Sequence, residues 1–338
     1  MKLSRLGEFG LIERIRRAAP TGRGVYLGIG DDAAWVANAT GSCLVTADLL
    51  IEGVHFNLRW TSLFDLGYKS LAVNLSDIAA MGGVPTYAIL SLGIPGDFDD
   101  KQIAALYRGV NALARKCHVA VVGGDTNIAK SLIISACVIG DPPRQPIRRS
   151  GAGVGDDIYV TGTLGDSALG LSFLKRNSPR IKSSAVASLL KRHHQPTPRI
   201  AAGVLLARRR LATAMIDVSD GLLQDLGHIC RASRTGAVIW NDRLPLSRAY
   251  RALGGQAGTS YALSGGEDYE LLFCARPRNR VPIAQLAGRA RVGITRIGTC
   301  VAAEKPITVI DGSGKALPIR FEGHDHFKKN VARRAKND

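Results

Sequence analysis

Residues 62–93 read SLFDLGYKSLAVNLSDIAAMGGVPTYAILSLG and place a helix signal directly before a strand signal. Ser62 and Asp65 have the spacing of a capping box, which predicts that a helix begins here and runs over about Asp65–Met81. Two glycines and a proline follow and end the helix. The apolar run Tyr87–Gly93 then predicts a strand, so this stretch indicates a mixed α/β fold.

The same alternation continues on both sides of this stretch. A second helix is expected at about Asp100–Cys117, where Ile103, Leu106 and Val110 share one apolar face. Helices and strands that alternate along a chain are typical of a layered α/β architecture. Further strands of the N-terminal half are expected at Val25–Ile29, Ser42–Ala47, Val119–Val122 and Leu132–Ile139.

A segment rich in proline, glycine and arginine, DPPRQPIRRSGAGVG at residues 141–155, interrupts this pattern and indicates a domain boundary. We therefore expect an N-terminal domain over residues 1–140 and a C-terminal α/β domain over residues 151–338. Strands of the C-terminal half are expected at Asp157–Thr161, Met215–Val218, Ala237–Trp240, Tyr269–Ala275, Thr295–Val301 and Ile307–Ile310. Its helices are expected at Asp166–Arg176, Ser183–Arg192, Pro198–Arg210 and Leu222–Ala232.

The 338 residues carry 45 Lys and Arg against 28 Asp and Glu, a formal net charge of +17. The basic residues form short clusters without interleaved aromatic residues, so nucleic acid is not expected as the partner. With 46% hydrophobic residues and no apolar run of membrane-spanning length, we expect a globular protein without membrane attachment. The six cysteines lack paired spacing, which is typical of a reduced cytoplasmic protein with buried thiols.

Six motifs place acidic residues at the ends of predicted strands or on a buried helix face. One Asp-Gly pair alone is explained as a tight turn, but six acidic motifs at these positions favour a site for several Mg²⁺ ions, which prefer oxygen ligands. Asn74 and Asp77 share one face of a predicted helix, where a buried carboxylate is costly unless it is paired or coordinated. The other motifs are Gly28–Asp32, Thr46–Asp48, Val121–Thr126, Asp217–Gly221 and Ser264–Asp268. In the first and third of these, a strand is expected to run into a glycine turn. The motif Asp217–Gly221 is expected to form a phosphate and metal site where a helix begins.

Seven stretches that follow one another along nearly the whole chain are GIGDDAA (28–34), TADLLIEGVHF (46–56), YKSLAVNLSDIAAMGG (68–83), GGDT (123–126), RRSGAGVGD (148–156), DVSDGLLQDLGHI (217–229) and SGGEDYELLF (264–273). Together they closely resemble the thiamine-monophosphate kinase family of the aminoimidazole ribonucleotide synthetase superfamily. The resemblance implies a two-domain mixed α/β fold and a homodimer formed through the sheet of the N-terminal domain. It also implies that ATP phosphorylates thiamine monophosphate to thiamine diphosphate.

The resemblance also implies roles for individual residues. The family's Mg²⁺ ligands match Asp32, Thr46, Asp48, Asp77, Asp125, Asp217 and Asp220. Its ATP contacts match Gly124, Asp125, Arg149 and Ser219, and its thiamine-phosphate contacts match His55 and Glu267. Among all of these, the expected catalytic residues are Asp48, Asp125 and Arg149.

Two positions depart from the family's pattern. Ala47 stands where a threonine is expected, so any metal ligand there is its backbone carbonyl. His324 stands where the family typically offers an aromatic ring to the substrate, and its imidazole is the expected replacement for that contact.

The expected acceptor is itself a phosphate anion, so it needs no general base, and direct transfer of the γ-phosphoryl group is expected. His55 is then expected to position the substrate rather than to take a proton. Three other functions remain open from the sequence: another enzyme of the superfamily, a Mg²⁺-dependent phosphohydrolase, and a basic nucleic-acid-binding protein. The sequence contains neither GxSxG nor HExxH, which argues against serine and zinc hydrolases.

Overall fold

The residues that the structure describes form two six-stranded sheets, one from each half of the chain. The computed structural model describes residues 3–20, 22–39, 41–176, 183–255 and 258–318. Within these residues, no helix is long and apolar enough to cross a membrane. The last strand of the first sheet ends at Asp141 and the first strand of the second begins at Asp157, so the segment between them joins the two halves.

The first sheet is antiparallel except at one edge. Its strands are β1 (Val25–Leu27), β2 (Ala34–Asn38), β3 (Gly41–Ile51), β4 (Val84–Ile94), β5 (Ala120–Ile128) and β6 (Ile133–Asp141). The helices of this half are α1 (Leu3–Ala18), α2 (Leu63–Ala80) and α3 (Asp100–Cys117). The strands follow the spatial order β1-β2-β3-β6-β4-β5, and β4 and β5 are parallel because α3 crosses over between them.

Helix α2 begins where the sequence predicts and is buried over most of its length. The side chain of Ser62 accepts the backbone N–H of Asp65 at 3.0 Å and thereby caps the first turn. Helix α3 crosses α2 so closely that a Cβ on Gly67 would lie 1.9 Å from the carbonyl oxygen of Leu106. Only glycine permits this approach, which holds α2 between α3 and the first sheet.

The second sheet contains β7 (Asp157–Thr161), β8 (Ala214–Asp217), β9 (Thr235–Trp240), β10 (Leu271–Ala275), β11 (Ile294–Ala302) and β12 (Thr308–Ile310). Its spatial order is β12-β9-β11-β7-β10-β8, and its pairs are antiparallel except β9 with β12. The helices of this half are α4 (Asp166–Lys175), α5 (Ser184–His194), α6 (Ile200–Arg208), α7 (Leu222–Ser233), α8 (Arg248–Leu253), α9 (Ser260–Ser264) and α10 (Arg280–Ala290).

An apolar cluster joins the two halves at the C-terminal end of α2. Ala79 and Ala80 of α2 belong to the same buried cluster as Leu206 of α6 and as Met215 and Phe273 of the second sheet. Helix α2 therefore packs against strands of both sheets. Because of this packing, the polar side chains that α2 carries lie at the border between the two halves.

The mixed α/β fold expected from the sequence is confirmed, and each predicted strand and helix has a counterpart. One strand, β2, and four helices, α1, α8, α9 and α10, are additional to the prediction. Strand β3 is longer than predicted and continues to Ile51, so Asp48 lies inside the strand rather than just beyond it.

The interpretation of residues 123–126 as a glycine turn is wrong, because β5 continues through them to Ile128. A Cβ on Gly124 would lie 1.7 Å from the carbonyl oxygen of Leu90. The register of β4 and β5 shifts just before this point. This glycine is therefore required by the close approach of two strands, and Asp125 follows it within the strand rather than in a loop.

Candidate active site

Three carboxylates from three different elements converge at the border between the two halves. Asp32 lies in the loop between β1 and β2, Asp77 lies on α2, and Asp217 is the last residue of β8. One carboxylate oxygen from each lies within 4.8 Å of those of the other two. The structure therefore brings together three of the residues that the sequence singled out, although they come from distant parts of the chain.

Two hydroxyl groups hold these carboxylates in place. Thr46 Oγ1 on β3 donates to Asp77 Oδ2 at 2.6 Å, and Ser76 Oγ donates to Asp217 Oδ2 at 2.6 Å. Because Ser76 and Asp77 are consecutive on α2, one turn of this helix orients carboxylates from both halves of the protein. The role of Ser76 was not predicted, since its partner lies 141 positions away in the sequence.

Arg149 brings a positive charge to the carboxylate cluster. Its Nη2 donates to Asp32 Oδ1 at 2.7 Å, and the Asp32 side chain is 1% exposed. The neighbouring Asp31 accepts the backbone N–H of Arg149 at 3.2 Å and that of Asp32 at 3.1 Å, so it holds the loop. Asp32 Oδ2 is buried and has no hydrogen-bond partner among the described residues. One carboxylate oxygen of the cluster is therefore left for a further ligand.

The electrostatics of the cluster favour an additional cation. Burial and the nearby carboxylates of Asp48, Asp217 and Asp32 raise the pKa of Asp77 well above its ordinary value. Burial, together with Asp32, raises the pKa of Asp217 to about 8. An all-oxygen set of closely spaced carboxylates, one of them with an unpartnered oxygen, fits the ligand preference of Mg²⁺. The residues present therefore suit the implied metal.

These pKa values predict how Mg²⁺ binding depends on pH. Near pH 6, Asp217 holds a proton that a metal ion must displace, whereas near pH 9 it is already ionised. The affinity for Mg²⁺ is expected to rise about tenfold per pH unit up to about pH 8 for each proton that binding releases, and to level off above it. Titration calorimetry in two buffers of different ionisation enthalpy measures the released protons directly. An affinity that does not change over this range is the contrary result.

Asp48 and Asp220 belong to the same electrostatic group. On β3, the backbone N–H of Asp48 donates to Asn74 Oδ1 of α2 at 3.0 Å, so Asn74 positions the strand. Burial, followed by the charge of Asp220, raises the pKa of Asp48 to about 6. Asn74 and Asp77, which the helical spacing placed on one face, both contact β3.

Asp225 organises the loop that carries Asp220. Its Oδ2 accepts the backbone N–H groups of Ser219, Asp220 and Gly221 at 3.1, 3.1 and 3.0 Å. This buried carboxylate therefore occupies the donors just before α7, where a phosphate was expected to bind. Sequence reasoning missed Asp225, although an acidic residue in the first turn of a helix is a known capping signal.

Asp125 is not one of the three carboxylates that the structure groups together. It is exposed on β5, which is an edge strand of the first sheet in the described part of the chain. Its carboxylate accepts the backbone N–H of Thr126 at 2.8 Å and the side-chain amide of Asn127 at 3.0 Å. The predicted metal and ATP contacts of Gly124 and Asp125 therefore remain predictions.

A second polar group surrounds Glu267. The buried Lys69 of α2 places its Nζ 2.6 Å from Glu267 Oε1, and His193 Nδ1 of α5 lies 3.3 Å from Oε2. Burial alone would raise the pKa of Glu267, but Lys69 and then His193 lower it below its ordinary value. The backbone N–H of Glu267 donates to the carbonyl oxygen of Ser219 at 2.7 Å, which ties this group to the loop of Asp220.

His55 lies close enough to Glu267 to contribute to that lowered pKa. Its Nδ1 accepts the backbone N–H of Ile51 at 3.0 Å, so the neutral ring carries its proton on Nε2. The Nε2–H group is then the hydrogen-bond donor of the ring. His324, the third predicted substrate contact, lies outside the described residues.

Comparison with known proteins covers both halves of the chain. The family models for AIR synthase related protein match residues 30–141 with the N-terminal domain and residues 153–311 with the C-terminal domain. A thiamine-monophosphate kinase of Bacillus subtilis is 36% identical over 327 residues, covering 96% of this chain and 100% of that protein.

Solved structures are similar over the same extent. The structure of AaThiL complexed with AMPPCP and TMP has a TM-score of 0.84 at 33% identity and covers 96% of this chain and 99% of that chain. The thiamine-monophosphate kinase structure from Stenotrophomonas maltophilia has a TM-score of 0.76 at 41% identity and covers 92% and 98%. With its two domain matches and these full-length relatives, the chain belongs to the thiamine-monophosphate kinase family of the AIR synthase related proteins.

Proposed function

We propose that this protein transfers the γ-phosphoryl group of ATP to thiamine monophosphate and so forms thiamine diphosphate. The observation that carries the proposal is the convergence of Asp32, Asp77 and Asp217, with Arg149, at the border between the two halves. The names of the relatives give the substrate, and the solved relative complexed with AMPPCP and TMP supports both reactants.

The chemical difficulty is electrostatic, because both reactants are polyanions. Bound Mg²⁺ supplies the positive charge that offsets the phosphate oxygens and the developing transition-state charge. The residues that would hold it are Asp32, Asp77 and Asp217, and we extend the set to Thr46, Asp48, Asp125 and Asp220. A site for several ions is supported by the number of carboxylates that raise one another's pKa.

The chain's own residues position the reactants. Arg149 contributes a permanent positive charge beside Asp32, and Ser219, Gly124 and Asp125 are the proposed contacts for ATP. His55 and Glu267 are the proposed contacts for thiamine monophosphate. The acceptor phosphate is already ionised near neutral pH, so none of these residues is needed to remove a proton.

We also propose a cytoplasmic homodimer that forms through the first sheet. Support comes from apolar side chains that this sheet leaves in solvent, with Val122 57% and Ile128 83% exposed on the edge strand β5. Such a row of apolar groups and unpaired backbone favours pairing with a second chain. The free thiols of all six cysteines agree with a reducing compartment.

The direct test is to identify the product by mass after purified protein, ATP, Mg²⁺ and thiamine monophosphate are mixed. We expect thiamine diphosphate and ADP in equal amounts, and neither product when thiamine monophosphate is omitted. Release of inorganic phosphate from ATP without an acceptor is the outcome that supports a phosphohydrolase instead.

His55→Asn tests whether this histidine positions the substrate or acts as a base. The amide of asparagine cannot take a proton near neutral pH, and it is too short to reach the position of the Nε2–H of His55. We expect the KM for thiamine monophosphate to rise about tenfold, as the loss of one well-placed hydrogen bond predicts, with the shape of the profile of kcat against pH unchanged. Disappearance of one limb of the pH profile with unchanged KM identifies His55 as a base.

A further inference from the structure

Two adjoining cavities lie on the segment that joins the two halves, and the proposed chemistry does not use them. The larger has a volume of about 970 Å³ and the smaller about 410 Å³, and both are lined by Gly151 and Thr213. The larger extends over residues 141–151 and the C-terminal end of α6, and the smaller continues to residues 276–278. We call the two together the linker groove.

The linker groove is strongly basic. The arginines that line it are Arg144, Arg148, Arg208, Arg210, Arg276 and Arg278. Two carboxylates, Asp141 and Asp156, also line it, and Asp156 is already engaged by the backbone N–H of Gly153 at 2.9 Å and by Thr213 Oγ1 at 2.7 Å. Across the described ranges, none of the six arginines forms an ion pair with a carboxylate. Six arginines without an ion-pair partner among the described residues suit the binding of an external anion.

The shape and lining of the groove limit what this anion is. Pro142, Pro143 and Pro146 fix the backbone along one wall. Around both cavities, as far as the chain is described, no aromatic side chain contributes to the lining, so a nucleobase has no ring on which to stack. Guanidinium groups match phosphate oxygens in pairs, and several along a groove match a chain of phosphates. The lining therefore recognises phosphate groups rather than a base.

The groove is separate from the carboxylate cluster. At residues 148–150, Arg148 and Ser150 line the groove, whereas the side chain of Arg149 donates to Asp32. We propose that the linker groove binds a short inorganic oligophosphate, of the pyrophosphate or tripolyphosphate class, independently of the active site.

Calorimetric titration of the full-length protein with sodium tripolyphosphate, in the presence of EDTA, tests this proposal. EDTA removes the Mg²⁺ that phosphate binding at the carboxylate cluster is expected to need, so the signal reports on the linker groove. We expect saturable binding of about one tripolyphosphate per chain that weakens as salt is added. The double variant Arg208→Gln/Arg210→Gln is expected to bind about tenfold more weakly or worse.

The matched control is Arg108→Gln/Arg115→Gln, which removes the same charge from exposed positions on α3. It is expected to retain the affinity of the parent protein. Arg144→Gln, in the segment between the two sheets, is a second test variant if Arg208→Gln/Arg210→Gln does not fold. Absence of saturable binding, or equal weakening by the control, overturns the proposal because general attraction to a basic protein then explains the result.

ATP in EDTA serves as the comparison ligand. Equal affinity for ATP and tripolyphosphate supports recognition of the phosphate chain alone, as does tighter binding of tripolyphosphate. Tighter binding of ATP by about tenfold or more contradicts the proposal, because it requires contacts to the nucleoside that the lining does not offer.

Discussion

Asp217→Asn is expected to reduce kcat by about 10³-fold and, at the same time, to make the metal-free protein more stable at pH 8. The loss of rate follows because Asp217 is one of three clustered carboxylates and cannot be replaced by its neighbours. The gain in stability follows because the clustered carboxylates destabilise the fold when no metal ion is bound. Without metal, ionised Asp217 is buried beside Asp32 and Asp48, whereas asparagine brings no charge.

The pKa of Asp217 determines the direction in which stability changes with pH. The pKa of Asp217 is about 8 in the folded protein, above its value in the unfolded chain, so its protonated form stabilises the fold. That stabilisation is complete at low pH and is lost as the pH rises through 8. The difference in melting temperature between Asp217→Asn and the parent, measured in EDTA, is therefore expected to grow from pH 6 to pH 9.

Asp97→Asn, at an exposed position, is the control and is expected to change neither kcat nor the pH dependence of melting. Addition of Mg²⁺ is expected to stabilise the parent protein more than Asp217→Asn, because one ligand is missing in the variant. Near-normal turnover together with unchanged metal stabilisation contradicts the assignment of Asp217 to the metal site.

Local sequence signals were enough to find the clustered carboxylates. Asp32 follows a glycine turn, Asp217 ends a strand, and Asp77 interrupts an apolar helix face, and each of these features is visible within a few residues. Their convergence was not visible in the same way, since it depends on how α2 packs against both halves. The resemblance to a known family supplied that information where local physics did not.

Contacts between distant segments explain what sequence reasoning missed. The two glycines before Asp125 looked like a turn because glycine pairs commonly form turns, yet Gly124 is required by the approach of β5 to β4. Asp225 accepts a hydrogen bond from the loop before α7, and only the folded structure shows that the backbone N–H groups of this loop need an acceptor. Lys69 was passed over because a lysine on a helix is ordinarily exposed, whereas this one is 3% exposed.

Lys69→Met is expected to be the most destabilising single change near the proposed substrate contacts. Lys69 Nζ lies 2.6 Å from Glu267 Oε1, and its side chain is 4% exposed against 26% for Glu267. Removing one partner of a buried ion pair leaves the charge of the other poorly compensated, which costs about 3 kcal/mol at this partial exposure. Since Glu267 is also tied to Ser219, we further expect the KM for thiamine monophosphate to rise about tenfold or more.

Urea unfolding of Lys69→Met, Glu267→Gln and the double variant measures how much of the stability change comes from the ion pair between Lys69 and Glu267. If the lysine acts by compensating Glu267, the double variant is expected to recover much of the stability that Lys69→Met loses, because neither charge is then buried alone. The exposed Lys101→Met of α3 controls for the loss of a positive charge in general. The KM is expected to remain raised in the double variant, since Glu267 is the proposed contact and Lys69 only positions it. The contrary result is a loss of unfolding free energy in the double variant that equals the sum of the losses in the single variants. In that case Lys69 stabilises α2 by packing, and Glu267 keeps its position without the ion pair.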